Sequence, residues 1–547
     1  MLCVQLCLNT ANAVKSQVLS STESANLELL FPGAVLLMQA QGREFDYREA
    51  LEKSLLFYEG QRSGKLPETQ RMNWRGDSAL VDGNASQVDL RGGYYDAGDN
   101  VKYQFPMAFT TTLLSWSVME YESELLLANQ LQHAHESIRW ATDYFLKAVT
   151  SPTQIWVQVG DPHSDHECWE RAEDMDTLRL TLQINETTPG TEVAAETAAA
   201  MAASSIVFRA SDPLYAERLL GTAMTVFDFA DKYRGTYHGA CPFYCSSGYN
   251  DELLWAAAWL YQASNDTKFL KYVVDNSTLS HEVSEFSWDN KHAGTQILLT
   301  KSEHHSKKKF SERFPHTCVT SMMESVVIEN GLLVPFTLLP HILIQELYLA
   351  GETSLEPYAK HAAAFVCHVL PANMWNKVSY TPGGLLYVRV GANTQYVTGS
   401  SFIIVVLADS LANSNGAKLM CGNVSYASQN LLAHSKNQVD YILGSNPLNM
   451  SYMAGFGPKY PTQVHQRSAS IISIHESPLH VGCGQGFVDW FPSDNPNPNV
   501  LVGAIVGGPD INDNFKDSRR DSSCTEPTTY INSGFVGLLA RLLRDGT

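Results

Sequence analysis

The sequence predicts an all-α fold. Candidate helices, recognised by apolar residues at helical spacing and by alanine content, follow one another along most of the chain, and few segments alternate strictly enough for a strand. The 547 residues, 44% of them hydrophobic, can bury a large core. Because no internal repeat is evident, the helices could build a solenoid, bundles or a barrel of helical hairpins.

The predicted helices come in close succession, and the loops between them are rich in aromatic and polar side chains. Residues that bind or react are concentrated in loops, so the chemistry is expected there. In chain order the helices span residues 46–59, 107–121, 132–149, 191–209, 213–232, 250–263, 266–274, 290–301, 335–350, 356–370, 396–412, 425–443 and 528–544.

Charge narrows the range of partners. The formal net charge is −19, which repels nucleic acid and anionic membranes and favours a neutral or cationic partner. The one short basic run, Lys307 to Lys309, does not change that balance. We therefore expect no nucleic-acid partner and no membrane partner.

The N-terminal segment is ambiguous. Its apolar run, residues 27–38, is too short and interrupted to span a membrane. The run could be the core of a signal peptide, but it begins late and lacks a basic segment directly before it. We interpret residues 1–44 as a signal or an altered N-terminal segment, and residues 45–547 as a single catalytic domain.

Ten cysteines are scattered through the chain. Neither close pair, Cys3 with Cys7 or Cys241 with Cys245, has a second pair at metal-type spacing, so we expect one or two disulfides and no zinc site. Secretion would allow glycosylation, because six sequons are present, at Asn84, Asn185, Asn265, Asn276, Asn423 and Asn449.

The stretch from Asp89 to Pro106 carries the first candidate catalytic residues. It sets Asp96 and Asp99 in a glycine-rich turn ahead of an apolar helical run. A helix N-terminus favours nearby anions, so these carboxylates are expected to be ionised, which suits a general base. The alternative is that they only cap the helix or bind a structural cation.

A second acidic loop lies near the other end of the chain. Residues 513–532 hold Asp517 and Glu526 among hydroxyl side chains and open into another apolar helix. Two distant carboxylate loops suit a hydrolase that uses one acid and one base. Helix-capping or solvated acids are the alternative.

A third loop, Trp156 to Trp169, concentrates possible metal ligands between His163 and Cys168. A metal site and a solvated loop are both compatible with that spacing. Trp288 begins a further aromatic and polar motif, where a core tryptophan is the alternative to a ligand platform.

Three motifs in order resemble the signatures of family nine glycoside hydrolases, and most closely the plant endo-1,4-β-glucanases, or cellulases. They are Asp96-Ala-Gly-Asp99, the segment from Ser451-Tyr-Met-Ala-Gly-Phe-Gly457 to His465-Gln-Arg467, and Phe515-Lys-Asp517 with Glu526-Pro-Thr-Thr-Tyr-Ile-Asn532. The resemblance implies an (α/α)6 barrel of helical hairpins, with long loops forming an open cleft at one end. It also implies endo-hydrolysis of β-1,4-glucosidic bonds in a cellulose-like glucan.

The resemblance also implies roles for individual residues. Asp99, assisted by Asp96, would activate water while Glu526 protonates the leaving oxygen, with inversion and carboxyl groups ~6.5–9.5 Å apart. No organic cofactor is needed, and a structural calcium ion is left open. The expected catalytic residues are Asp96, Asp99, His465, Asp517 and Glu526, and the expected sugar-binding residues are His166, Trp169, Trp288 and Arg467.

Some segments depart from the family. Residues 302–350 do not match the family's sequences. A divergent helix or a gene-model error would explain the difference. Relatives carry tryptophan where this chain has Gly391, and an aromatic residue where it has Ser522, which could lower activity. The alternative function is therefore a non-catalytic or impaired β-glucan-binding protein on the same fold. Among enzymes, xyloglucan or mannan cleavage is the nearer alternative. A secreted, monomeric enzyme of cell-wall turnover is expected.

Overall fold

The computed structural model describes residues 45–300, 353–371, 373–414 and 417–545. The predicted signal segment, the predicted helix 335–350 and the divergent segment 302–350 lie outside these residues. Twelve helices of nine or more residues occur in the described part, numbered in chain order: α1 Tyr47–Gly60, α2 Gln104–Leu127, α3 Leu131–Ala148, α4 Thr191–Phe208, α5 Pro213–Lys232, α6 Asn250–Ser264, α7 Thr267–Asp275, α8 292–300, α9 Glu356–Val369, α10 Thr394–Ala412, α11 Ser428–Leu443 and α12 Thr529–Asp545.

The even-numbered helices form an inner ring and the odd-numbered helices an outer one. Inner helices are buried around nearly their whole circumference, as in α4, where small alanine side chains let neighbours approach closely. Outer helices bury one face, as in α3, where Ala134, Ile138, Ala141 and Phe145 repeat at helical spacing. Helix α2 packs against α4 and α12, α4 against α6, and α10 against α12. The predicted all-α, (α/α)6 barrel is confirmed.

The ring also explains the most apolar helix. Of the described helices, α10 is long and apolar enough to cross a membrane, but 89% of that stretch is buried inside the protein. Its apolar surface packs against α12 and α11.

Within the described residues, the long connections lie at one end of the barrel, because each joins the C-terminus of an outer helix to the N-terminus of the next inner helix. They span residues 61–103, 149–190, 233–249, 276–291, 370–393 and 444–528. The described connections at the other end are shorter, for example 128–130 and 209–212. The N-termini of the inner helices therefore point at the loop-bearing end, where their dipoles favour anions.

Small sheets and short helical turns shape these loops. Strands β1 Lys102–Tyr103, β2 Val149–Ser151, β3 Gln154–Val159 and β4 Thr181–Asn185 form an antiparallel sheet in which β3 pairs with the other three. Pairing of Lys102 with Val159 joins the Asp96–Asp99 loop to the third loop. Two hairpins follow, β5 Ser379–Tyr380 with β6 Leu386–Tyr387, and β7 Leu419–Cys421 with β8 Val424–Tyr426. The short α-helices are Pro162–His166, Arg467–Ser470, Cys483–Gln485 and Ser522–Thr525; 3-10 turns are Asn84–Ser86, Ser277–Leu279 and Thr353–Leu355, and Gly486–Trp490 is a π-helix.

Three disulfides cross-link the described residues, more than the one or two that the sequence predicts. They join Cys168 to Cys483, Cys241 to Cys245, and Cys367 to Cys421. Cys168 and Cys483 are 315 residues apart in sequence, a separation that only the folded barrel brings together. Of the described cysteines, Cys524 is free.

Candidate active site

The Asp96–Asp99 loop enters α2 and is held by backbone hydrogen bonds. The Asp96 amide donates to the carbonyl of Val101 at 3.2 Å, and the Asp96 carbonyl accepts from the Thr529 amide at the start of α12. Asp96 and Asp99 are 4% and 5% exposed. The loop therefore presents two buried carboxyl groups beside the N-terminus of the last helix.

Glu526 meets this loop from the far end of the chain. Its Oε1 accepts a hydrogen bond from the Gly98 amide at 3.0 Å, across 428 residues of sequence. A Cβ atom on Gly98 would stand 2.1 Å from the carbonyl oxygen of His465 and 2.9 Å from Glu526 Oε1. Only glycine fits between the two groups, so this position holds the Asp96–Asp99 loop, here called the base loop, against Glu526.

The two aspartates are incompletely satisfied. The Tyr244 hydroxyl donates to Asp96 Oδ2, and His166 Nε2 lies 3.9 Å from Asp99 Oδ2. The remaining oxygens, Oδ1 of Asp96 and Oδ1 of Asp99, are buried and have no hydrogen-bond partner among the described residues. A buried carboxylate oxygen without a donor is costly, and such groups mark functional sites more often than structural ones.

The three acids hold their protons unusually tightly. Burial, with the nearby Asp99 carboxylate, raises the pKa of Asp96 well above its ordinary value. Burial and Asp165 raise the pKa of Asp99 to about 7, against the opposing charges of His166 and Arg467. Burial raises the pKa of Glu526 to about 7, although the Gly98 amide favours the anion. These raised pKa values run against the expectation that a helix N-terminus keeps Asp96 and Asp99 ionised, because desolvation opposes the charged form of both carboxyl groups.

Arg467 does not lie where a sugar-binding residue would. It is 3% exposed and forms an ion pair with Asp165 at 3.0 Å. Its other N–H groups donate to the carbonyls of Gly98, Asp165 and Cys168. The predicted sugar contact is thus replaced by a structural one: Arg467 joins the Gly98 loop to the third loop and supplies positive charge beside the acids.

His465 presents one ring nitrogen. Its Nδ1 lies against the carbonyl of Arg519, which can only accept, so Nδ1 carries the proton. Burial lowers the pKa of His465 to about 4, and the ring is neutral at ordinary pH. Its Nε2 is therefore a hydrogen-bond acceptor, which suits a sugar hydroxyl as predicted.

His166 and Trp169 differ in exposure. His166 is exposed, its Nδ1 contacts the Pro162 carbonyl at 2.7 Å, and its ring stacks on Phe243 at 4.1 Å. Trp169 is 2% exposed, with its indole N–H donating to Ser470 and its ring covered by Phe491 at 4.7 Å. The predicted sugar-stacking role of Trp169 does not fit this burial; the ring supports its neighbours instead.

Trp288 lies near the Asp96–Asp99 loop. It is partly exposed, and its ring meets Tyr244 at 4.8 Å, edge to face. Because Tyr244 also donates to Asp96, the indole lies one side chain from the base loop. The predicted role in sugar binding stays a prediction.

Asp517 is separate from the three acids. Its Oδ2 accepts from the Thr462 amide and hydroxyl, both at 2.8 Å, and its Oδ1 accepts from the Gln463 amide at 2.9 Å. Both oxygens are thereby committed to the turn before His465. In the structure Asp517 braces the His465 loop, because its carboxylate accepts three hydrogen bonds from Thr462 and Gln463. Its predicted catalytic role stays a prediction.

The two family departures that fall in the described residues lie near Glu526. Ser522 is exposed, and the pKa of Glu526 is raised nonetheless, so the missing aromatic residue is not needed to keep this acid protonated. A Cβ atom on Gly391 would stand 3.5 Å from Ser523, which places the missing tryptophan's position next to the Glu526 turn.

Two residues of the site escaped the sequence interpretation. Tyr244 follows no motif, and only the fold brings it to Asp96. Asp165 was one of the possible metal ligands, and its ligand atoms lie within 4.8 Å of those of Asp99 and His166. Asp165 is already paired with Arg467, and Cys168 belongs to a disulfide, so both serve the structure of the loop.

Comparison with known proteins decides the family. The model of glycosyl hydrolase family 9 matches residues 47–539. The chain belongs to glycosyl hydrolase family 9. The predicted family is thereby confirmed.

Similar family 9 proteins cover nearly the whole chain. An endoglucanase of Phaseolus vulgaris is 48% identical over 500 residues, covering 91% of this chain and 92% of the relative. Endoglucanase 17 of Arabidopsis thaliana is 49% identical, with 90% and 88% covered. Among solved structures, an endoglucanase of the termite Nasutitermes takasagoensis has a TM-score of 0.74 at 35% identity, covering 92% of this chain and 100% of its own. Endoglucanase CelQ of Clostridium thermocellum, complexed with cellobiose and cellotriose, has a TM-score of 0.70 at 30% identity, with 92% and 71% covered.

Proposed function

We propose that this family 9 glycosidase is an endo-1,4-β-glucanase that cleaves cellulose-like glucans with inversion at the anomeric carbon. The observation that carries the proposal is the meeting of Glu526 with the Asp96–Asp99 loop through Gly98. Relatives named endoglucanase that align over about nine-tenths of the chain support the substrate class. Binding alone would not require an acid and a base in one site, so the non-catalytic alternative is not favoured.

Asp99 is the proposed general base. Its unpaired Oδ1 and that of Asp96 are acceptors for the two hydrogens of a water molecule. Asp99 takes one proton as the water oxygen bonds to the anomeric carbon. Asp96 accepts a hydrogen bond from the other hydrogen and orients the water, while the Tyr244 hydroxyl donates to Asp96 Oδ2.

Glu526 is the proposed general acid. Since Oε1 accepts from the Gly98 amide, the acidic proton is placed on Oε2. The glycosidic C–O bond breaks as this proton passes to the leaving oxygen. A pKa of about 7 keeps Glu526 protonated in mildly acidic solution, and the matched value for Asp99 lets one acid be ionised while the other is not.

Two histidines would hold the sugar. His465 Nε2 accepts from a sugar hydroxyl, and the exposed His166, whose Nε2 lies 3.9 Å from Asp99, contacts a second hydroxyl beside that carboxylate. No organic cofactor is used in this scheme. One chain supplies every group, so we propose that the monomer is active.

We also propose that the enzyme acts outside the cell, in cell-wall glucan turnover. Three disulfides support an oxidising compartment. None of the six sequon asparagines is buried, so each could carry a glycan. A loss of mass after treatment with an N-glycosidase would support this location, and its absence in protein from the native tissue would contradict it.

Hydrolysis and stereochemistry are tested together. Purified enzyme is incubated with soluble β-1,4-glucan, xyloglucan and mannan, and the new reducing ends are followed by proton NMR in the first minutes. We expect turnover of the unbranched β-1,4-glucan with the α-anomer formed first. A β-anomer first would exclude inversion. Preferential cleavage of mannan or xyloglucan would replace the substrate but not the mechanism.

A further inference from the structure

Residues 483–491, here called the aromatic segment, carry three aromatic rings that the main core does not use. Phe487, Trp490 and Phe491 are each partly exposed and pack against a small cluster of Trp169, Ile471 and Val481 that is separate from the main core. Main-core aromatic residues such as Trp116 are fully buried. Three partly solvent-exposed aromatic rings in one short segment suggest a binding role beyond core packing.

The aromatic segment lies beside the cleavage site. The Trp169 ring packs edge to face on His465 at 5.0 Å, and Phe491 covers Trp169 at 4.7 Å. Phe491 itself is 6.4 Å from His465, with the two rings nearly perpendicular. The partly exposed rings are therefore continuous with the neutral histidine that accepts from sugar hydroxyls.

The aromatic segment is fixed at three points. The disulfide Cys168–Cys483 joins its first residue to the residue before Trp169. At Gly486 a Cβ atom would stand 1.5 Å from the Trp169 carbonyl oxygen, so the two backbones touch. Arg519, whose own carbonyl orients His465, donates to the Trp490 carbonyl at 3.0 Å. Rings held this firmly lose little freedom when a ligand stacks on them.

We propose that the aromatic segment is a glucan-binding platform next to His465, with Trp490 and Phe491 stacking on the apolar faces of glucose units, and that the disulfide Cys168–Cys483 holds it in place. The inference rests on the proposed function. It moves the stacking role predicted for Trp169 to the rings that cover Trp169. A glucan is the fitting occupant because its hydroxyl edges suit His465 while its ring faces suit the aromatic side chains.

The test compares Trp490→Ala with Trp375→Ala in the full-length enzyme. Trp375 is 49% exposed in the 370–393 connection and provides the matched control. We expect Trp490→Ala to raise KM for cellopentaose about tenfold with kcat changed less than about twofold, and Trp490→Phe to restore most of the loss. Trp375→Ala should leave both constants unchanged.

A second pair of variants tests the disulfide. The double variant Cys168→Ser/Cys483→Ser should raise KM in the same direction, whereas Cys367→Ser/Cys421→Ser, which removes a different disulfide, should not. Cellopentaose affinity is also measured by calorimetry in Glu526→Gln protein with and without Trp490→Ala, and near-UV circular dichroism verifies folding of each variant. An unchanged KM and affinity after Trp490→Ala would overturn the platform. If the unmodified enzyme turns over no β-1,4-glucan, the proposed function fails instead, and the calorimetry still reports on the platform.

Discussion

The connection between α1 and α2 holds two sets of buried carboxyl groups. Asp82 is the paired set, and Asp96 with Asp99 is the unpaired set; their pKa values are shifted in opposite directions. Asp82 is fully buried, with Lys102 at 2.7 Å and both Arg179 nitrogens at 2.9 and 3.0 Å. Burial alone would raise the pKa of Asp82, but Lys102 and Arg179 outweigh it and lower the value. Asp96 and Asp99, a few residues away, have no such cation, and their pKa values rise.

The difference shows what separates a structural carboxylate from a reactive one. The carboxyl groups of both sets are buried, so burial alone does not decide the direction of the pKa shift. Each oxygen of Asp82 has a cationic donor, whereas one oxygen of Asp96 and one of Asp99 have none. Arg467, the guanidinium that opposes the rise of the Asp99 pKa, is itself paired with Asp165 and donates to backbone carbonyls. Because Asp96 and Asp99 have no paired cation, their pKa values are raised and a proton stays available for chemistry at neutral pH.

The largest effect is expected from Glu526→Gln, which keeps the shape of the side chain but removes its proton. We expect kcat on soluble β-1,4-glucan to fall at least about 10³-fold, with cellopentaose affinity within about threefold of the unmodified enzyme. The control is Asp517→Asn in the brace of the His465 loop, where less than about tenfold is expected. Equal losses in the two variants would show that Asp517 belongs with the reactive acids after all.

The paired set is broken by Asp82→Asn. Lys102 and Arg179 then lose their shared counter-charge in a buried place, and the free energy of unfolding at pH 7 should fall by about 3–5 kcal/mol. Asp96→Asn, in the unpaired set, should change it by less than about 1 kcal/mol, because burial raises the pKa of Asp96 and already disfavours the charge that the amide lacks. Denaturant titration of both variants measures the contrast, which disappears if Asp96 is in fact ionised in the folded protein.

The contact between the base loop and the acid is broken by Gly98→Ala. The added methyl group collides with the His465 carbonyl, so the loop must move away from Glu526. We expect kcat/KM to fall about 10²-fold with little loss of secondary structure, since small displacements of catalytic groups have effects of this size. Gly248→Ala is the matched control, because Gly248, like Gly98, has no positive φ and a Cβ atom there meets nothing within 4 Å. Similar activity losses in both variants would assign the effect to the loss of a loop glycine in general and not to the collision with His465.

Asp82 and Glu526, whose pKa values shift in opposite directions, should also respond oppositely to pH. The pKa of Glu526 rises from an ordinary 4.5 to about 7 on folding, so its stabilising contribution is full below pH 4.5 and is lost as pH rises through 7. Glu526→Gln should therefore be more stable than the unmodified protein above pH 7, by roughly 1–3 kcal/mol, and not below pH 4.5. The pKa of Asp82 is lowered, so the deficit of Asp82→Asn should be full above about pH 4 and shrink in stronger acid. Melting temperatures across pH 3 to 9 provide the test; parallel curves would refute it.

The smallest expected change concerns the shape of the pH–rate profile. Activity requires ionised Asp99 and protonated Glu526, and the pKa of each is about 7. A narrow bell is expected for kcat/KM, with its maximum within about one pH unit of 7. A broad plateau from pH 4 to 6 would mean that the pKa values of Asp99 and Glu526 lie far apart, as expected if Asp99 had a cationic partner like that of Asp82.

Sequence reasoning located the acids but not the role of every neighbour. Asp96, Asp99 and Glu526 stand in short motifs whose glycine and helix-start residues are local signals, and the structure brings them together. Arg467, Trp169 and Asp517 have side chains that bind sugars well when exposed. Burial and complete hydrogen bonding give them structural roles here, and neither property is written in a motif.

The fold was predictable for a different reason. Eleven of the helices expected from apolar spacing and alanine content fall within the described part between α1 and α11, and α12 follows the last motif, so the order of elements needed no long-range information. Tyr244 and the disulfide Cys168–Cys483 depend on contacts across 148 and 315 residues, which no local pattern records.

The meeting of Gly98 with Glu526 has a consequence for biosynthesis. A ribosome adds the base loop early and the acid only 428 residues later, after which α12 packs beside α1 and closes the ring. A nascent chain that ends before Glu526 lacks the proposed proton donor, so the proposed mechanism allows no hydrolysis until translation has passed that residue.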